Sequence, residues 1–195
     1  MASDDELWQR QVALQVEAEA VLAELDLAAV AGPVLPTGSY VSGLMSWPDL
    51  DVMVHVGAGF TPSDVLGLLQ QLVDRPGVVG FDYRDERGER SPTGTARDDR
   101  YHVVVAVARG DREWRVDLTL WLNDLHANVT EWHESLRATI TAEQRAAILR
   151  IKDVWHRLPA YPDEVGGTQI YAAVLDDGVR TVEEFAAWLA ERGER

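Results

Sequence analysis

The chain contains no cysteine, which removes disulfides, thiolate metal sites and thiol nucleophiles from its chemistry. It has a single lysine, Lys152, among 18 basic residues, so arginine serves wherever a plain surface cation is wanted. No apolar run approaches the ~20 residues of a membrane-spanning helix. The acidic opening Met1 to Glu6 lacks the positive charge and apolar stretch of a secretory signal. A soluble, cytoplasmic protein with no membrane partner is the expectation. Positive charge is scarce, with 18 basic against 33 acidic residues and a formal net charge of -15. Such a field repels polyphosphate backbones and disfavours a long DNA or RNA partner.

What is present is globular: 195 residues with 46% hydrophobic and 26% charged side chains can bury a core without covalent staples. Ser3 with Glu6 forms a capping box, and Leu7, Val12, Leu14, Val16, Val21, Leu22, Leu25 and Leu27 follow at largely helical spacing. The spacing predicts a long amphipathic helix ended by Gly32 and Pro33. A short apolar piece, Val34-Leu35, then leads into a turn at Gly38-Ser39. Leu50, Val52, Val54 and Val56 alternate with Asp51, Met53 and His55, which predicts a strand over 50–56 with Asp49 and Asp51 on its other face. Thr61-Pro62-Ser63-Asp64 opens a helix to about Val73, and Val78 to Tyr83 reads as a strand.

Residues 84–100, with five arginines, five acids, two glycines and a proline, read as a solvated, mobile excursion. Beyond it, Tyr101 to Ala108 and Glu113 to Leu122 form β-rich arms joined by a hairpin turn at Arg109-Gly110-Asp111-Arg112. From about residue 130 the pattern is helical, with capping boxes at Thr141/Gln144 and Thr181/Glu184. The expected architecture is α+β: a mixed β-sheet flanked by helices over residues 1–125 and a C-terminal helical lobe over 126–195, with a ligand cleft between them.

The stretch Gly38-Ser39 through Asp49-Leu50-Asp51 carries the chemistry. A Gly-Ser turn opening a helix offers backbone N–H groups to phosphate oxygens. Two carboxylates at i and i+2 on a strand repel each other unless a cation joins them. Magnesium prefers one or two carboxylates plus water and substrate phosphates. Asp117, in a neighbouring strand, offers a third acid. Taken singly, each piece also has a structural reading: a turn and helix cap, solvated edge acids, and an Asp117–Arg115 pair at i-2.

The ordered set Gly38-Ser39, Asp49-Leu50-Asp51 and Val116-Asp117-Leu118 resembles the polymerase-beta-type nucleotidyltransferase superfamily across roughly residues 30–122. Pro48 and Leu44 stand where many relatives carry serine or threonine. The resemblance implies a nucleotidyltransferase-type sheet in which Gly38 and Ser39 hold the β- and γ-phosphates. It implies that Asp49, Asp51 and Asp117 are both catalytic and metal-binding, with two Mg²⁺ ions, replaceable by Mn²⁺, and Asp117 activating the attacking hydroxyl. Helix residue Lys152, followed by Gly166-Gly167-Thr168-Gln169-Ile170-Tyr171, is similar to the helical lobe of template-independent members such as CCA-adding and oligoadenylate-synthase-like enzymes. That similarity implies nucleotide-binding roles for Lys152, Thr168 and Tyr171.

Lys152 lies i+4 from Ile148 and i-3 from Trp155, at the border of an apolar stripe, where a snorkelling lysine is the structural alternative. His126, His133 and His156 lack metal-ligand spacing and read as helix-surface or partner-bonded core residues. Trp114, Trp121 and Trp155 are candidates to stack on a base, although tryptophans on apolar faces are far more often core, and the sequence leaves both readings open. The expected activity is transfer of a nucleoside monophosphate from a nucleoside triphosphate, ATP foremost, to a hydroxyl of a small-molecule acceptor such as an aminoglycoside-like antibiotic, with release of pyrophosphate. The alternatives are a template-independent transferase acting on nucleotides or RNA ends, and a minimal nucleotidyltransferase antitoxin that modifies or binds a partner protein.

Overall fold

The computed structural model describes residues 2–92, 98–123, 128–162 and 164–193. Helix α1 (Asp4–Leu25) begins at the expected capping box, in which the Ser3 side chain accepts from Glu6 N–H and the Glu6 carboxylate accepts from Ser3 N–H at 2.7 Å. The run predicted to reach Gly32 is broken at Asp26, which adopts a left-handed backbone (φ 46°) that aspartate tolerates better than most residues. A short α2 (Leu27–Ala31) follows.

Five strands form one mixed sheet: β1 (Val34–Thr37), β2 (Asp49–His55), β3 (Val78–Glu86), β4 (Arg100–Arg109) and β5 (Arg112–Trp121). Their order is β1-β2-β5-β4-β3, antiparallel throughout except for the parallel β2–β5 pair. Helix α3 (Gly38–Ser42) links β1 to the loop before β2, and α4 (Pro62–Leu72) links β2 to β3. The chain is thus α+β with a mixed sheet flanked by helices, as its sequence pattern predicts.

The excursion expected over 84–100 is partly ordered structure. Arg84, Asp85 and Glu86 continue β3 by pairing with His102, Tyr101 and Arg100. Arg87 then grips Asp85 through two hydrogen bonds of 2.7 and 2.9 Å, and Arg90 binds the same carboxylate at 2.7 Å. Charge-rich composition suggested solvation, but here the charges neutralise each other across a tight turn. Residues 93–97 of that stretch lie outside the described residues.

Helices α5 (Asn128–Thr139), α6 (Ala142–Trp155), α7 (Gly167–Leu175) and α8 (Val182–Arg192) complete the chain. Apolar side chains gather in two clusters, one between the sheet and helices α1 and α4, the other among α5 to α8. Leu44, from the loop before β2, belongs to the second cluster, and Arg10 of α1 is ion-paired with buried Asp153 of α6, so the two clusters are joined by more than the chain itself. The boundary expected near residue 125 falls at 124–127, outside the described residues, as does His126. No helix among the described residues is long and apolar enough to cross a membrane.

Candidate functional site

The parallel β2–β5 pair sets Asp49 opposite Arg115 and Asp51 opposite Asp117. Strand side chains alternate between faces, and paired strands lie about 4.8 Å apart. These four side chains therefore form a compact square on one face, while Leu50, Val52, Val116 and Leu118 point into the core behind them. Arg115 Nε lies 3.0 Å from Asp117 Oδ1 and 4.0 Å from Asp49 Oδ1. The Asp117–Arg115 pair foreseen as a structural alternative is thus present, and His102 Nε2 stands 3.7 Å from the same Asp117 oxygen.

Gly38 meets this square directly. It has a left-handed backbone (φ 63°), and a Cβ added there would fall 2.8 Å from Asp51 Cγ and closer still to Oδ2. Only a residue with no side chain lets the turn lie against that carboxylate. Helix α3 is five residues long, too short to build an appreciable macrodipole, so any hold on an anion comes from individual N–H groups. Ser39 is buried beside Asp51 in the lining of the same cavity.

That cavity, of about 670 Å³, opens between the sheet face and the helical half. Its far wall carries Lys152 of α6, with Thr168 and Tyr171 of α7. Lys152 does not border the packed face as its sequence position suggests; it is 1% exposed, donates to Leu44 O at 2.8 Å, and lies over the rings of Trp47 (5.1 Å) and Tyr171 (5.8 Å). Burial lowers its ammonium to about 8, against the opposing pull of Asp49 and Asp51. On the sheet side burial pushes Asp51 up to about 6, with Asp117 adding repulsion. Asp49 is raised well above the usual carboxylate range by burial, then by Asp51 and Asp117. Burial also raises the Tyr171 phenol.

No family model matches this chain, and no curated protein matches it. Among solved structures it is similar to the Cid1 poly(U) polymerase with magnesium and 3′-dATP bound, at 14% identity and a TM-score of 0.45, over 77% of this chain and 47% of that one. The overlap is partial. This chain spans about half the length of that structure.

The structure brings Gly38, Ser39, Asp49, Asp51, Asp117, Lys152, Thr168 and Tyr171 to one cavity. Thr168 is the outermost, exposed at the start of α7. Among the described residues no group of three or more His, Cys, Asp or Glu side chains is arranged to hold a metal ion. Magnesium asks less of a protein, since one or two carboxylates suffice when phosphates and water complete its shell. Asp49 and Asp51, half-buried and repelling each other, suit such a cation; Asp117 would have to exchange Arg115 for it.

Two residues in the lining were missed or misread from sequence. His133 of α5 is neither a surface residue nor partner-bonded: it is 9% exposed, its Nδ1 has no hydrogen-bond partner among the described residues, and burial lowers it to about 4. Trp47, from the loop before β2, stacks on His156 at 5.0 Å and meets Tyr161 edge-on at 4.9 Å. No periodicity could announce either contact, because both depend on how the helices pack. Trp121 also lines the cavity, whereas Trp114 is fully buried and Trp155 packs on Phe185 in the second core.

Proposed function

We propose that this chain is a metal-dependent nucleotidyltransferase, a member of the polymerase-beta-type superfamily. It transfers a nucleoside monophosphate from a triphosphate, ATP foremost, to a hydroxyl of a small-molecule acceptor. The observation that carries this reading is the register Asp51↔Asp117 with Asp49 beside it, three carboxylates on one sheet face closed over by a glycine turn and faced by a buried lysine. Acids that repel one another in a largely buried cavity are unfavourable on stability grounds alone, and such groupings are where function resides.

Asp49 and Asp51 would hold Mg²⁺ or Mn²⁺, joined by Asp117 once Arg115 yields. The ions would offset charge on the triphosphate and on the oxygens that enter and leave phosphorus. Backbone N–H groups at Gly38 and Ser39, with Lys152, bind the β- and γ-phosphates; Thr168 and Tyr171 confine the nucleotide from the helical side. Asp117 orients the acceptor hydroxyl and takes its proton. The acceptor oxygen forms a bond to the α-phosphorus as the bridging α–β bond breaks, and pyrophosphate leaves in line.

The chain's net charge of -15 favours a neutral or cationic small acceptor over an RNA end. Incubation with α-labelled ATP and Mg²⁺ tests this, the expected outcome being label on a small hydroxyl compound and release of pyrophosphate. A lengthened RNA end or a labelled protein band would instead identify one of the two other acceptor classes. Asp51→Ala should abolish labelling, by about 10³-fold or more if the metal supplies several kcal/mol. Labelling that survives this change would remove the metal assignment.

A further inference from the structure

His133 and Thr37 line the cavity with no part in the reading above. His133 Nδ1 and Thr37 Oγ1 are both buried without a hydrogen-bond partner among the described residues, and their residues are 9% and 7% exposed. A buried polar atom left unpaired is unfavourable, so two in one cavity call for a ligand that satisfies them. Both belong to elements that meet at the cavity. Thr130, one turn before His133 on α5, donates to Pro36 O at 3.1 Å, which brings that face of α5 against the end of β1 where Thr37 precedes Gly38.

The surroundings favour an anion. The His133 ring lies 6.3 Å from that of Tyr171, whose own helix opens at the cavity with Gly167 and Thr168, where first-turn N–H groups have no intrahelical acceptor. Thr37 is also the register partner of Asp51 across β1 and β2, so an anion that meets Thr37 lies beside the carboxylates that would hold the metal ion. A metal ion in this chemistry bridges the β- and γ-oxygens of the nucleotide, so the terminal phosphoryl group belongs at that end of the cavity, within the lining that His133 and Thr37 share.

We infer that the His133 Nδ1–H and the Thr37 hydroxyl donate to the terminal phosphoryl group of the bound nucleotide, so that the cavity distinguishes a nucleoside triphosphate from a diphosphate. The inference rests on the nucleotidyltransferase reading. It adds two specificity-determining residues to the donors already described, and gives the two orphaned atoms their acceptors.

Calorimetry of the full chain with Mg²⁺ and ATP, ADP or inorganic tripolyphosphate provides the test. His133→Phe keeps a ring against Trp132 and Tyr171 while removing both nitrogens, and Thr37→Val removes only the hydroxyl. Either variant should weaken ATP binding about 10-fold, as loss of a hydrogen bond to a charged group does, with ADP binding changed less than about 2-fold. In ¹⁵N-histidine-labelled protein the Nδ1 resonance missing from His133→Phe should shift with ATP and with tripolyphosphate, and not with ADP. Unchanged ATP affinity in both variants overturns the inference, as does an equal loss for ATP and ADP, which would assign the pair to the ribose or base. If wild-type protein binds no ATP, or Asp51→Asn leaves Mg²⁺ dependence of binding intact, the nucleotidyltransferase reading fails instead. The tripolyphosphate shift of His133 then decides the anion site by itself.

Discussion

The two walls of the cavity are assembled in different ways. On the sheet wall, Asp49, Asp51, Arg115 and Asp117 take their places from strand geometry, a period of two along each strand and direct pairing between β2 and β5. On the helical wall, Lys152, His133 and Tyr171 come from α6, α5 and α7, and each is buried because three helices meet around it. The sheet wall gathers negative charge; the helical wall offers an ammonium, a neutral imidazole and a phenol. A ligand with a divalent ion at one end and an extended anion along its length satisfies both. Each wall alone stores unfavourable electrostatics, burial and then mutual repulsion of the acids in one and burial of the ammonium in the other.

The sharpest way to break this contrast is to move the sheet wall by one methyl group. Gly38→Ala must strain a left-handed turn and displace the Asp51 carboxylate. The expected cost is about 2 to 4 kcal/mol of stability, from the backbone and the close contact together. Displacing the carboxylate should also lower transfer activity about 10²-fold. Denaturant melts of Gly38→Ala made in an Asp51→Gly background provide the control. With the carboxylate gone, only the backbone part, roughly 1 to 2 kcal/mol, should remain. A full additive loss would mean that Gly38 is there for its turn and not for its approach to Asp51.

How much of each wall could be read in advance follows the same division. Asp49, Asp51 and Asp117 were legible because alternation fixes their face locally, and Gly38-Ser39 because glycine next to a strand end marks a turn. Their meeting was not local: β2 and β5 are separated by the β3–β4 region, and only the ordered motif suggested that they pair. Lys152 was visible through its rarity, but its burial was not, since an apolar stripe does not say that a second helix and Trp47 close over its border. His133 gave no signal at all, because a lone histidine on an amphipathic helix looks the same whether it meets solvent or a cavity. Asp26, which breaks the first helix, was hidden by the unbroken apolar spacing on either side of it.

A smaller effect should appear on the helical wall as a pH dependence. The folded His133 imidazole is lowered to about 4 from an ordinary 6.5, chiefly by burial and secondarily by Lys152. Between those values the unfolded chain binds more protons, so this residue's effect is absent above pH 6.5 and stability falls as pH drops toward 4. The loss is at most about 3 kcal/mol. Asp51, held up near 6, acts in the opposite direction, so the quantity to read is the difference between wild type and His133→Phe across pH 7 to 4. That difference should narrow or reverse in favour of the variant as pH falls. A constant difference would mean that the imidazole is solvated, and that the helical wall is less closed than its packing implies.

The smallest expected effect concerns the seam between the walls. Trp47 belongs to the loop that delivers β2, and His156 to the end of α6, yet their rings lie parallel at 5.0 Å with an interplanar angle of 5°. An aromatic pair of this kind contributes about 1 kcal/mol beyond its buried area. His156→Ala should therefore lower the melting temperature by roughly 2 to 4 °C in a chain of this size, and His156→Phe should restore most of it. The His156 Nδ1 contact with Lys152 O at 2.6 Å lies within α6 and would be lost in both variants, so recovery with phenylalanine isolates the stack. The form of the transition carries the further information. Leu44 is seated in the helical core and Arg10 binds Asp153 across the molecule, so melting should stay a single cooperative step even without the stack. Two resolved transitions in His156→Ala would show that the walls are separate folding units held together at the seam, and that the closeness of Lys152 to the acids depends on it.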